Sequence, residues 1–564
     1  MTTEKNSQGK AFLESIERRS SESKGPNRRR FGWLHRSRTV AGSGFNRWLV
    51  PPAALAIHLS IGMAYGFSVF WLPLSKALPG VATCGARVSW FDQLTASCNW
   101  RVQSVSVTFV LFTVVLGLAA AVWGKWVERV GPRKSSAVSA LFWCGGLALG
   151  ALAVQIHQLW LLWLGTGIIG GVGLGIGYIS PVSTLIRWFP DRRGLATGMA
   201  IMGFGGGAMI GAPLAVLLMK YFQTPASSGV AATFLCLAAL YGVFMLGGAF
   251  TYRLPPRGWQ PTGWTPPQKD SNAQNRSVHV SQAWKSRAFW CVWGVLAMNV
   301  SAGIGVLSMA SPLLQEIFGG RLIGLDVGVS ALNADQRAEC AVIGVGFTGL
   351  LSLFNIGGRF VWAVLSDRIG RKNTFHCIFL LGITLYAFMP TLSAHDNLIL
   401  FVAGLCILMS MFGGAFAVVP AYLSDLFGSE MISAIQGRVL TAWSTAGVIG
   451  PLLIGAIRDS RLGNGVDPAH AYDPAFYVIA GLLLIGLVCN ALVRPVPDHY
   501  FMSSEELERH RHESRYKGPE TRSAENTVEI GLTLTAPVAS AWLMVCIPIG
   551  WGICMTVARA AVLL

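Results

Sequence analysis

Apolar residues along this chain gather into long runs separated by short polar or glycine-rich breaks. Many runs reach roughly 20 residues, and a helix of that length crosses a hydrocarbon core of about 30 Å. Twelve of them lie near 48–75, 103–124, 135–156, 159–187, 194–221, 229–252, 287–316, 340–365, 374–393, 397–425, 435–458 and 474–494, with a thirteenth at 538–562. The pattern predicts an all-α integral membrane protein. Polar stretches organise it into a tail at 1–47, six spans within 48–252, a linker at 253–286, six more spans within 287–494, a polar segment at 495–537 and a last helix at 538–562.

Composition supports this reading, with 52% hydrophobic and only 13% charged residues among 564, and a positive mean hydropathy. The 65 glycines suit helices that approach one another closely in lipid. A net charge of +17 invites comparison with nucleic-acid binders, but its distribution points elsewhere. With the N-terminus placed in the cytoplasm, 33 of the 44 Lys and Arg residues fall in cytoplasmic segments, nine on the opposite side and two inside spans. That is the positive-inside pattern, expected of a multi-pass protein of the cell (inner) membrane and not of a nucleic-acid partner. Arg28, Arg29 and Arg30 then read as part of a solvated tail, with attraction to anionic lipid as the second reading. The first apolar run starts too late and is too long for a cleavable signal peptide.

Most of the 11 cysteines lie in spans, where the thiol behaves as a small hydrophobe. Cys84 and Cys98 share the loop after the first span, on the side where a disulfide is permitted; two free thiols are the alternative. No His/Cys grouping has metal-ligand spacing, and no cofactor motif is present, so neither metal nor cofactor is expected.

The two six-span sections repeat each other. Gly124 to Lys134 reads GKWVERVGPRK and Ala363 to Lys372 reads AVLSDRIGRK. Each places an acid before an arginine (Glu128 and Arg129, Asp367 and Arg368), then a glycine for a tight turn (Gly131, Gly370), then a basic pair beginning at Arg133 or Arg371. Gly198 to Pro213 echoes Gly437 to Pro451 in the same way. Two related halves around a central cavity follow from the repeat.

Both loops resemble the signature loop of the major facilitator superfamily, with Glu128 where Asp is usual and Ala363 where Gly is usual. Within it, Gly177 to Ala208, Leu254 to Pro267 and Phe354 to Arg359 resemble the oxalate/formate antiporter family, a similarity that runs from Asn46 to Arg494. The last helix is similar to the one-helix protein associated with such transporters, fused here. The resemblance implies a twelve-helix fold of two halves plus the extra helix, gating by the loops Gly124–Arg133 and Asp367–Arg371, and a small carboxylate as cargo.

Arg359 is the residue that demands an explanation. It lies eight positions before Asp367, hence about 12 Å into the membrane, where an unpaired arginine costs about 3 kcal/mol on insertion scales. No Asp or Glu sits well inside a span; Glu316 and Asp425 are close to span ends. A carboxylate arriving from solution fits the guanidinium fork, and the family's substrate arginine falls here; bonding to backbone carbonyls is the alternative. Asn355, one turn earlier, is placed to hold either substrate or guanidinium. Tyr65, Tyr178 and His58 are further candidates for the cavity, each with packing as its alternative reading. Arg438 either reaches the cavity or snorkels to the headgroups.

Trp443 narrows the cargo. The family's oxalate exchanger has Thr-Ala-Lys where this chain has Thr441, Ala442 and Trp443, so one deep cation remains. One cation balances a monocarboxylate such as formate, lactate or pyruvate, whereas oxalate asks for two. Transport is the expected activity, with oxalate/formate exchange or a non-transporting carboxylate sensor as alternatives; no catalytic constellation for an enzyme is present. With no intramembrane carboxylate to carry protons, His58 is the one titratable candidate near midplane, and the carboxylate is expected to move with a proton or against a counter-transported anion.

Overall fold

The computed structural model describes residues 33–513 and 535–560, apart from residues 35, 43, 79, 86, 87, 90, 96, 226, 257, 258, 262, 265–275 and 396. The basic stretch Arg28–Arg30 and much of the two polar connecting segments lie outside the described residues. Thirteen described helices are long and apolar enough to span a membrane. They are α1 Arg47–Leu74, α2 Val102–Val130, α3 Pro132–Gln155, α4 Leu159–Trp188, α5 Arg193–Phe222, α6 Val230–Thr251 and α7 Arg287–Ser308. α8 Ala334–Ile369, α9 Arg371–Ala394, α10 Leu398–Phe427, α11 Ile432–Gly463, α12 Pro468–Leu492 and α13 Ala536–Ala558 complete the set.

Local chemistry moves several boundaries away from the apolar runs. α8 begins before its run because Asn333 and Gln336 form a reciprocal cap that satisfies the first free N–H groups. The run expected at 287–316 breaks after Ser308, and a separate short helix, Ala310–Phe318, follows. α1 changes from α-helical to tighter 3-10 winding over Met63–Phe70. Gly131 and Gly370, with φ of 83° and 85°, end α2 and α8 and let the chain reverse at once into α3 and α9. Both turns match the sequence repeat.

Helices α1–α6 and α7–α12 form two halves that meet along two seams, α5 against α8 and α2 against α11. Small residues make both seams possible, since no apolar attraction drives helices together in lipid. A methyl on Gly124 would come within 2.7 Å of the Ala434 backbone, and one on Gly198 within 2.9 Å of the Ala363 side chain. The second contact places the glycine on the facing helix, which compensates for the alanine in the second signature loop.

α13 lies against α1, α5 and α8, so it touches both halves. The Trp542 indole donates to the Trp48 carbonyl at 3.2 Å, Val545 is buried with Leu55 and Ala56, and Gly552 packs on Ile210. Further along, Thr556 packs beside Gly349 of α8. On the face opposite the signature loops, Cys84 and Cys98 are joined by a disulfide, with their Cα atoms 5.2 Å apart.

The order of contacts along α13, from Trp48 at the start of α1 to Gly349 deep in α8, runs it once through the membrane. Reporters fused to the two chain ends are therefore expected on opposite sides, as read by compartment-specific fluorescence or protease access. Both reporters on one side would contradict a spanning α13.

Candidate functional site

Arg359 sits at the α5–α8 seam with no exposed surface. Its Nε donates to the Asn355 side-chain oxygen at 3.1 Å, one turn earlier on α8, and Asn355 is itself anchored by donating to the Met409 carbonyl of α10 at 3.2 Å. Its Nη1 donates across the seam to the Ile201 carbonyl of α5 at 3.1 Å. Backbone bonding is thus half of the answer to the question the sequence raised. The other half is open: Nη2 is buried and has no hydrogen-bond partner among the described residues. Gly205 makes room for the group, since a methyl there would stand 2.8 Å from Nε.

Aromatic rings wall the guanidinium. Its central carbon lies 6.0 Å from the Tyr65 ring, 5.9 Å from Phe204 and 5.5 Å from Phe416, distances at which ring faces attract a cation. Trp443 from α11 closes the box, 5.9 Å from Tyr65, 5.6 Å from Phe204 and 5.4 Å from Phe416. Tyr178 from α4 adds a fifth ring, 5.7 Å from Phe416 and 6.2 Å from Trp443. The Tyr65 hydroxyl, the Tyr178 hydroxyl and the Trp443 Nε1 are, like Arg359 Nη2, buried without a partner among the described residues. Leaving one such group unpaired costs roughly 1–3 kcal/mol. All four can donate, and only the two tyrosine hydroxyls can also accept, with Tyr65 facing both Arg359 and Trp443, so the box holds more donors than acceptors.

No described acid meets that need. Glu316 is engaged by Arg458 Nε and the Tyr472 hydroxyl, each at 2.8 Å, and Asp425 by Arg193 at 2.8 Å and Arg371 at 3.1 Å. Arg438 leaves the box: it donates to the Val280 carbonyl at 2.9 Å and lies over Trp284. Arg359 is therefore the one cation of the box among the described residues.

His58 departs from the expectation that it contacts cargo. Its Nδ1 is 2.5 Å from the Ala200 carbonyl and its Nε2 3.1 Å from the Tyr178 carbonyl, so both ring nitrogens point at the α5 and α4 backbones. The 3-10 winding that begins at Met63 turns Tyr65 relative to His58, and only Tyr65 reaches the box. Phe204, Gly205 and Phe416 were not singled out from the sequence. Phe204 and Gly205 lie in the quoted Gly177–Ala208 segment; Phe416 lies in a uniformly apolar run that carries no distinguishing signal.

The signature acids each cap a helix of the other half. Asp367 accepts from the Gly194 and Leu195 amides at the start of α5, at 2.8 and 2.9 Å. Glu128 accepts from the Ser433 amide at the start of α11 at 2.8 Å, and pairs with Arg187. First-turn amides have no partner inside their helix and carry the positive end of its dipole, so a carboxylate there is doubly favoured. Arg371 holds Asp367 in place at 2.6 Å. Arg193 adds a bond across the seam to Asp425 at 2.8 Å, whereas in the signature loops Arg133 donates to the Trp33 and Phe250 carbonyls and Arg129 and Arg368 are exposed. These bonds join the two halves at the face that carries the signature loops.

Asp367→Asn and Glu128→Gln each weaken a charged bond worth roughly 1.5–3 kcal/mol. Hydrogen exchange at Gly194 and Leu195, or at Ser433, is expected to accelerate about tenfold or more, as read by mass spectrometry. Unchanged protection in both variants would show that these acids do not hold the halves together.

Comparison with known proteins agrees with this architecture. Residues 41–334 and 339–563 match the Major Facilitator Superfamily. The chain is 27% identical over 445 residues to the oxalate:formate antiporter of Oxalobacter formigenes, covering 78% of this chain and 95% of that protein. It is 25% identical to apicoplast pyruvate carrier 1 of Toxoplasma gondii over 52% of this chain and 59% of that one. Among solved structures, the transporter FucP in its outward conformation superposes with a TM-score of 0.54 at 13% identity, covering 80% of this chain and all of that one. This chain belongs to the Major Facilitator Superfamily and is a multi-pass membrane transporter, not an enzyme.

Proposed function

We propose that this transporter carries small monocarboxylates of the formate, lactate or pyruvate type across the cell (inner) membrane, with its basic face in the cytoplasm. The observation that carries the proposal is the box itself: one guanidinium with a free Nη2, and three further unpaired donors, inside five aromatic rings. A carboxylate supplies four lone-pair sites and one negative charge, enough to satisfy the donors and neutralise Arg359. Arg359, Trp443, Tyr65 and Tyr178 bind it, and Asn355 positions the guanidinium.

Access alternates as the halves 48–252 and 287–494 rock about the anion, joined by the linker at 253–286. Release to the cytoplasm then requires both acid caps to let go, which opens the seams at Gly194 and Ser433. Oxalate/formate exchange is the second reading, favoured by the name of the Oxalobacter relative. Against it stands charge: a dianion in a dry box with one cation keeps an unbalanced negative charge, which is costly to bury.

Counterflow in proteoliposomes tests the choice directly. Vesicles preloaded with a monocarboxylate are expected to take up labelled formate, lactate or pyruvate, and oxalate only weakly; strong oxalate exchange would restore the second reading. Arg359→Ala is expected to insert normally and lose uptake by about tenfold to a hundredfold, the loss of a charge-assisted pair. Arg359→Lys should recover little, because an ammonium lacks the planar fork. Normal uptake by the alanine variant would make Arg359 a structural residue. Trp443→Lys should raise oxalate relative to lactate, while Trp443→Gln, which removes bulk without adding charge, should not.

A further inference from the structure

We propose that His58 is a proton-binding site that couples anion movement to a proton, making the carrier an electroneutral symporter. The inference rests on the monocarboxylate reading and adds an ion to it.

The geometry begins with two carbonyls and one ring. His58 is wholly buried in α1, with Nδ1 against the Ala200 oxygen of α5 and Nε2 against the Tyr178 oxygen of α4. Both partners accept only. A neutral imidazole has one N–H, so one ring nitrogen must turn its lone pair toward a carbonyl oxygen. The imidazolium has two N–H groups and satisfies both contacts. The Gly177 carbonyl also lies beside the ring, and Pro181, lacking an N–H, leaves that oxygen without its usual in-helix donor. Three backbone oxygens therefore surround a site shaped for a cation.

Burial is the larger obstacle to a charged ring, and the like charge of Arg359 adds to it. The two groups share Phe204 as a wall, 6.3 Å from the His58 ring and 5.9 Å from the guanidinium carbon. Other titratable groups nearby are few. α4 contributes Tyr178, stacked on the imidazole at 5.4 Å, and α1 itself contributes Tyr65. α5 has no ionisable residue between Arg193 and Lys220, while α6 brings only Cys236 and Tyr241, and α13, Ala536–Ala558, only Cys546 and Cys554. Two positive charges on either side of one buried ring repel strongly. A bound carboxylate cancels the guanidinium, and the second positive charge then becomes affordable.

Charge bookkeeping gives the coupling. Empty, the site holds one positive charge, on Arg359. With an anion alone it holds none; with an anion and a proton on His58 it again holds one. The empty and fully loaded carriers thus cross the same field with the same buried charge, and one anion and one proton move per cycle with no net charge. An anion carried alone would make the cycle sensitive to membrane potential.

The test uses purified full-length protein in vesicles, with radiolabelled lactate and an internal pH dye. In wild type, lactate entry is expected to acidify the interior mole for mole beyond protein-free vesicles. An inside-alkaline gradient of one pH unit should raise initial uptake several-fold, and an imposed potential should leave it unchanged. His58→Gln and His58→Asn, both prepared so that a folding defect in one does not decide the matter, should still exchange lactate for lactate. They should lose the pH-gradient stimulation and become sensitive to potential. Lactate entry without protons in wild type, or unchanged proton coupling in either folded variant, would overturn the proposal. Absence of any lactate exchange in wild type would instead overturn the monocarboxylate reading beneath it.

Discussion

A full positive charge with no acid beside it among the described residues, buried at the seam of the helix bundle, is the constraint around which this structure is arranged. Arg359 is tolerated there because Asn355 and the Ile201 carbonyl each take one of its protons, and because three ring faces lie within 6.0 Å of the guanidinium carbon. Gly205 keeps a side chain out of its place, and Asn355 is itself held by α10. The supports come from four helices, α1, α5, α8 and α10. The arginine therefore senses the relative position of α5, α8 and α10, and whatever binds it acts on the seam between the halves.

The same seam is secured at the basic face by a second electrostatic device. Asp367 and Glu128 occupy equivalent places in the two halves and cap α5 and α11, which are themselves equivalent. The repeat in sequence thus becomes a reciprocal exchange of helix caps. Such bonds are strong when the faces meet and vanish when they part, so they favour one closed arrangement without fixing the halves permanently. α13 spans the α5–α8 side of this joint and packs on both halves, which places the fused helix where their relative motion is felt.

Much of this was legible in the sequence, and the limits are physical. Hydrophobic run length located thirteen spans because the bilayer sets helix length. The tight turns at Gly131 and Gly370 followed from the repeat. What was hidden lay in features that carry no side-chain signal. The Ile201, Ala200 and Tyr178 carbonyls are main-chain atoms; Phe416 is one apolar residue among many; and α1 gives no warning of the 3-10 stretch that separates His58 from Tyr65. Arg133 resembles its counterpart Arg371 in sequence, yet only Arg371 pairs with the acid of its own loop that caps a helix of the other half.

We propose that a carboxylate completes the free donors around Arg359. A structure determined with lactate or pyruvate at saturating concentration tests it most directly. One carboxylate per chain is expected, bonded to Arg359 Nη2 and to at least one of Tyr65, Tyr178 and Trp443. An empty box with the anion bound elsewhere, or Nη2 paired with an acid of the protein, would contradict it.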